Sequence, residues 1–170
     1  IIVSPVCTDW SSMMNFNWAK MSLTDRERRL KEAKKHLRFC VKIDKLQSDN
    51  HRYFLHEHPA HAKSWKEPEI VKMINKQKNI LARIDQCRYG LWIKDKQGGA
   101  FAKKPTTFLT NSPCVAEQLM KRCLGKEVHN PQRHAALFDG RAKQAQVYPK
   151  RLCDAICQGI KDQIDQDKRG

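Results

Sequence analysis

The sequence predicts an α/β fold: a mostly parallel sheet with an antiparallel last strand, helices on both faces and a small C-terminal helical tail. Three observations predict it. Residues 1–3 (Ile-Ile-Val) are a β-branched run that suits a strand buried on both faces. A helical pattern over residues 24–47 separates that run from a second apolar run at 52–55, and strand–helix–strand at this spacing makes two adjacent parallel strands. Finally, Gly98-Gly99 lies between two strand-like segments with no helix between them, so the last strand should be reversed.

Taken in order, Ser4 and Pro5 end the first strand, because proline has no amide hydrogen for a ladder. Cys7 then sits in the turn past a strand's C-terminal edge, where open α/β sheets collect ligands and reacting groups. Residues 8–21 read as a long loop whose aromatics Trp10, Phe16 and Trp18 either stack on bases or cover the sheet edge. Thr24-Asp25-Arg26-Glu27 has the pattern of a capping box, and Leu30, Ala33, Leu37, Cys40, Val41 and Leu46 share one helix face. The opposite face is basic, from Arg26, Arg28 and Arg29 to Arg38, Lys42 and Lys45. The second strand starts at Arg52 and runs out into His56-Glu57-His58-Pro59, which puts Cys7 and Glu57 past the same edges of neighbouring strands. Pro68 opens a helix reaching Lys78, with Ile70, Val71 and Ile74 inward. Residues 80–85 form a third strand and 106–110 the last. Ser112-Pro113 caps a short helix through about Cys123; residues 126–146 are irregular and basic. Pro149 opens a final helix with Leu152, Cys153, Ile156, Ile160 and Ile164 on one face, and residues 166–170 should fray. The expected organisation is an α/β core over 1–112, with 113–170 packed on the same domain.

The 170 residues suit about one domain, and 33 Lys+Arg against 18 Asp+Glu give a formal charge of +15. Such a surplus favours a polyanionic partner, nucleic acid above all. Arg88, Arg141, Lys143 and Lys150 are candidate phosphate contacts. Seven cysteines make an odd count with no disulfide framework, which fits an intracellular location, the nucleus included. No apolar run reaches the length of a membrane span, so no membrane partner is expected. The chain opens directly on a strand without methionine, as a piece of a longer polyprotein or complex would.

These landmarks resemble the catalytic half of cytosine-C5 DNA methyltransferases, in particular the divergent phage and retroelement type. The family has a strand ending in Pro-Cys, here Ser4-Pro5-Val6-Cys7-Thr8, and a later strand ending in Glu-Asn-Val or Glu-Asn-Pro, here Glu57-His58-Pro59. Its Tyr-Gly followed by a strand with two basic residues has a counterpart in Tyr89-Gly90 and Lys103-Lys104-Pro105-Thr106. Val147-Tyr148-Pro149 echoes the segment that opens its last helix. The resemblance implies a partial Rossmann-like, methyltransferase-type sheet, with Cys7 the nucleophile that adds to cytosine C6 and Glu57 the group bonded to N3. Lys103 and Lys104 replace the family's arginines, exchanging a planar fork for a point charge. The sequence contains no Gly-x-Gly turn for the methyl donor, Val6 stands where proline is usual, and His58 replaces Asn. The resemblance therefore implies a nucleic-acid-binding fragment, DNA favoured over RNA, that methylates from S-adenosylmethionine only if donor-binding strands lie upstream. The competing expectation is a non-catalytic basic α/β module anchored on RNA or DNA within a larger complex.

No cofactor or metal is expected in this chain. The spacing of His51, His56, His58 and His61 fits no tetrahedral site. Cys123, His129 and His134, with Cys114 as a further donor, make the better ligand set for zinc. Cys153 and Cys157 read as core and edge-of-core residues.

Overall fold

The computed structural model describes residues 1–11, 14, 18–138 and 140–169; Phe16 of the expected aromatic loop and Gly170 of the fraying end lie outside them. The fold is α/β with a mixed four-stranded sheet in the order β1-β2-β6-β3 and a separate two-stranded hairpin. The strands are β1 (Ile2–Val3), β2 (Leu55–Pro59), β3 (Ile80–Asp85), β4 (Trp92–Ile93), β5 (Ala100–Phe101) and β6 (Pro105–Thr110). The helices are α1 (Leu23–Asp49), α2 (Pro68–Ile74), α3 (Pro113–Gln118) and α4 (Lys150–Asp167). By contacts the chain forms two compact units, Ile1–Leu81 with Thr107–Asn111, and Ala82–Thr106 with Ser112–Gly170.

In the first unit β1 and β2 pair in parallel, Ile2 opposite Leu55 and Val3 opposite His56, as strand–helix–strand spacing demands. The Thr110 hydroxyl donates to the Phe54 carbonyl and the Phe54 amide to Asn111 Oδ1. The end of β6 thus meets the start of β2, and β6 runs antiparallel to it. Trp10, Leu37, Val41, Phe54, Ile70, Met73 and Leu109 form the core, with Leu30 and Ala33 packed against it.

Several expected details shift. β1 stands at one end of the strand order and leaves Ile1 and Ile2 half exposed, so it is not buried on both faces. β2 begins at Leu55, and Glu57 lies inside it rather than past its edge. The cap of α1 is Ser22, whose hydroxyl accepts from the Asp25 amide, two residues ahead of the expected box. Leu46 is exposed, and the buried face of α1 continues instead through Asp44. α2 stops at Ile74, where the Asn79 side chain donates to the Met73 carbonyl, and its inward residues are Ile70 and Met73, with Val71 exposed. On the basic face of α1, Arg28, Arg29, Lys34, Arg38 and Lys45 are ion-paired with Asp25, Asp9, Glu67, Glu69 and Asp49. Much of that charge is therefore matched within the fold.

In the second unit the Gln86 amide donates to the Lys104 carbonyl, so the end of β3 meets the start of β6 and these strands are antiparallel too. The Gly98-Gly99 turn closes the antiparallel β4–β5 hairpin, an element that separates β3 from β6 and was not anticipated. Leu91, Ile93, Ala100, Ala102, Ala135 and Ala145 form its small core. The buried stripe of α4 is Leu152, Ile156, Gly159 and Gln163, whereas Ile160, Ile164, Cys153 and Cys157 are exposed or half exposed. Gln163 belongs inside because its Oε1 accepts from the Ser112 hydroxyl and the Cys114 amide at the start of α3.

Gly159 sets how closely α4 approaches α3: a Cβ there would lie 2.7 Å from the Val115 Cα and 3.1 Å from the Cys114 carbonyl oxygen. Gly159→Ala gains up to about 1 kcal/mol of helix propensity. The backbone clash outweighs it, with an expected net loss of about 1–2 kcal/mol. Urea denaturation of the variant against the parent chain checks this.

Candidate functional site

The first candidate site grows from the β1–β2 register. The pair after Val3 and His56 is Ser4 with Glu57, and the Ser4 hydroxyl donates to Glu57 Oε2 at 2.5 Å. Alternation along β2 sends Glu57 to the face opposite His56 and His58. Glu57 is 6% exposed, so its carboxylate depends on Ser4 for much of what water would have supplied. Pro5 stops the strand, and Cys7 follows three residues after Ser4, its Cα within about 11 Å of Ser4's. The Cys7 side chain is exposed. The turn carrying it is anchored from beyond: the Trp10 amide donates to the Cys7 carbonyl, Trp10 is buried in the core, and Asp9 pairs with Arg29 at 2.8 Å. Cys7 thus follows by three residues the serine that bonds Glu57.

Behind Glu57, on the other face of β2, two histidines are buried at 1% exposure. His56 Nδ1 meets Asp44 Oδ2 at 2.6 Å, and His58 Nδ1 meets the Ser64 hydroxyl. The His58 ring also lies against the Pro5 and Val6 backbone, in the turn that leads to Cys7. Burial, and secondarily the nearby His56, push the His58 pKa down to about 3. His51 and His61 are exposed, so the four histidines do not converge on one point. Asp44→Ala would leave His56 with neither ring nitrogen bonded, since its Nε2 has no partner already. The expected loss is about 3 kcal/mol, and the double change Asp44→Leu with His56→Phe should recover most of it. Chemical denaturation of the three variants checks both halves.

The second candidate site gathers in the other unit. Asp85, at the end of β3, accepts at Oδ2 from Arg122 Nε and from the Cys123 amide, both at 2.9 Å, and its own amide donates to the Lys121 carbonyl. This holds residues 121–123 beside the turn that carries Cys87. The segment beyond is anchored twice. Arg133 makes a bidentate pair with Asp95 at 2.5 and 2.9 Å, and the Ala135 amide donates to the Phe101 carbonyl. His134, between those anchors, places Nε2 at 3.4 Å from Cys123 Sγ, and His129 Nε2 lies 3.5 Å from the same sulfur. With Cys87, these four donor atoms all fall within 4.8 Å of one another. Burial, reinforced by the Cys123 thiol beside it, pushes the Cys87 thiol up to about 12.

Cys123, His129 and His134 were expected as a set; Cys87 was not, and it takes the place suggested for Cys114. Cys114 lies instead at the start of α3, its sulfur 2.9 Å from Gln166 Oε1. A signal for Cys87 exists: it lies two residues past the end of β3, a position that can face a Cys-x5-His-x4-His segment beginning 36 residues on.

The basic candidates are dispersed. Lys104 turns its ammonium to the Ala145 carbonyl at 2.7 Å, and Arg141 donates to the Ala136 carbonyl at 2.8 Å. Lys150 pairs with Asp154 one turn along α4. Arg88 is half-buried and reaches the Arg122 carbonyl, while Lys103 and Lys143 are exposed. Among the described residues no helix is long and apolar enough to cross a membrane. No protein-family model, curated protein or solved structure matches this chain.

Proposed function

We propose that the β1–β2 edge is the nucleophile-bearing, base-binding half of a cytosine-C5 methyltransferase-like domain that acts on nucleic acid. The observation that carries this reading is the Ser4–Glu57 hydrogen bond, which fixes a nearly buried carboxylate to a residue three positions before the exposed Cys7 thiol. A mixed sheet in which β1 and β2 are parallel and the last strand, β6, is reversed supports it further. The Rossmann-like, methyltransferase-type identity of the sheet is part of the same proposal.

The chemistry follows from the two groups. The Cys7 thiolate adds to C6 of an extruded or single-stranded cytosine, forming the S–C6 bond. The C5=C6 π pair moves into the ring while a proton carried by Glu57 passes to N3. C5 is then nucleophilic. Without an electrophile it takes a proton from solvent, and reversal of the addition releases the original C5 hydrogen to water and returns the N3 proton to Glu57.

S-adenosylmethionine, the donor the resemblance implies, does not fit these residues. The paired glycines Gly98-Gly99 form a hairpin turn in which a Cβ on Gly99 would already meet the Trp92 ring at 2.7 Å and the Ile93 carbonyl at 3.0 Å. That turn leaves no cradle for a ligand, and no step here runs through the donor.

Exchange at C5 needs no donor, so it can be read on this chain. Incubation with a single-stranded oligonucleotide carrying [5-³H]cytosine should release tritium to water, and Cys7→Ser should stop it. Release that is absent, or unchanged in Cys7→Ser, would leave the non-catalytic anchoring reading in its place.

A further inference from the structure

We infer that Cys87, Cys123, His129 and His134 form a closed structural zinc site. Two sulfurs and two imidazole nitrogens are the donor set that selects zinc in tetrahedral geometry. With Zn–S about 2.3 Å and Zn–N about 2.0–2.1 Å, the edge of a tetrahedron between a sulfur and a nitrogen is about 3.6 Å. The Cys123 Sγ contacts to His129 and His134 Nε2, at 3.5 and 3.4 Å, are already close to that edge, and all four donors fall inside a sphere that a single ion can span.

The donors reach this arrangement through bonds that owe nothing to an ion. Asp85 holds Cys123 by its amide, while Arg133–Asp95 and Ala135–Phe101 flank His134. Four protein ligands leave no open coordination position, so the ion's task is structural and not hydrolytic. What it would hold is evident from the chain. Between α3 and α4 the described residues form only short 3-10 turns, Lys126–Val128 and Arg141–Gln146, and beyond Leu119 they add just Ala135, Ala145 and the partly buried Leu137 to the hairpin's core. So long an irregular segment buries too little to hold itself, and zinc joins its middle to the end of β3. Binding releases the two thiol protons to solvent.

The test uses the whole chain purified with zinc present, without a chelator. Elemental analysis should find one zinc per chain. Cobalt put in its place should give the visible bands of a tetrahedral ion with thiolate charge transfer, which reports the donor set in the folded parent even if ligand variants fold poorly. Cys123→Ser and His134→Asn should weaken binding by more than about 100-fold, beyond the usual cost of losing an outer-shell partner. Cys114→Ser should bind as the parent does. Substoichiometric zinc, an octahedral cobalt spectrum, or equal loss in Cys114→Ser would overturn the assignment. None of these readouts depends on Cys7 or Glu57.

Discussion

Glu57→Gln is expected to slow cytosine C5 exchange by about 10²–10⁴-fold, the usual contribution of a positioned general acid. The amide keeps the volume of the carboxylate and an oxygen for the Ser4 hydroxyl to bond, so the β1–β2 edge should remain folded. It carries no acidic proton for N3, and the adduct then forms without charge relief. Initial rates of tritium release, alongside circular dichroism to confirm the fold, check the expectation. A fall of less than about tenfold would remove Glu57 from the chemistry and leave it a structural partner of Ser4.

Acid should destabilise the first unit through His58. Its folded pKa of about 3 lies below the ordinary 6.5, so between those values the unfolded chain binds the proton and the folded chain does not. Stability is therefore full above pH 6.5, falls as pH drops, and stops falling near pH 3. At about 1.4 kcal/mol for each pH unit between the two values, the whole loss is roughly 5 kcal/mol. The cause is burial at 1% exposure, with the neighbouring His56 adding to it. Urea unfolding at several pH values between 7 and 4 should show this slope, and His58→Gln should flatten most of it.

The parts of the fold legible in the sequence are those set by local pattern. The parallel β1–β2 pair followed from the length of the helix between its strands, and β3 from the short apolar run at residues 80–84. Ser112 and Pro149 marked helix starts because their roles there are local. What was not legible depended on tertiary partners. Asp44 sits on the buried face of α1 because His56 waits across from it, and no periodicity shows that. Gln163 and Gly159 take core positions on α4 because α3 needs a cap and a close approach, so the more apolar Ile160 and Ile164 are left outside. The β4–β5 strands are two residues each, too short for a period to show. At the candidate sites, Cys7 and Glu57 were read from the strand edges. The Ser4 bond was not, because it depends on a register that only pairing fixes. Cys123, His129 and His134 are close in sequence and were read together; Cys87 joins them through Asp85, a contact across 38 residues.

The central claim is that one strand edge presents a thiol and an acid to the same pyrimidine. It is tested most directly by intact-mass analysis after incubation with a single-stranded oligonucleotide bearing one 5-azacytosine, whose C6 accepts a thiolate and whose ring nitrogen then holds a proton. The account predicts one covalent adduct per chain, mapped by peptide digestion to Cys7 and much reduced in Glu57→Gln. No adduct, or an adduct mapped to another of the seven cysteines, would contradict it.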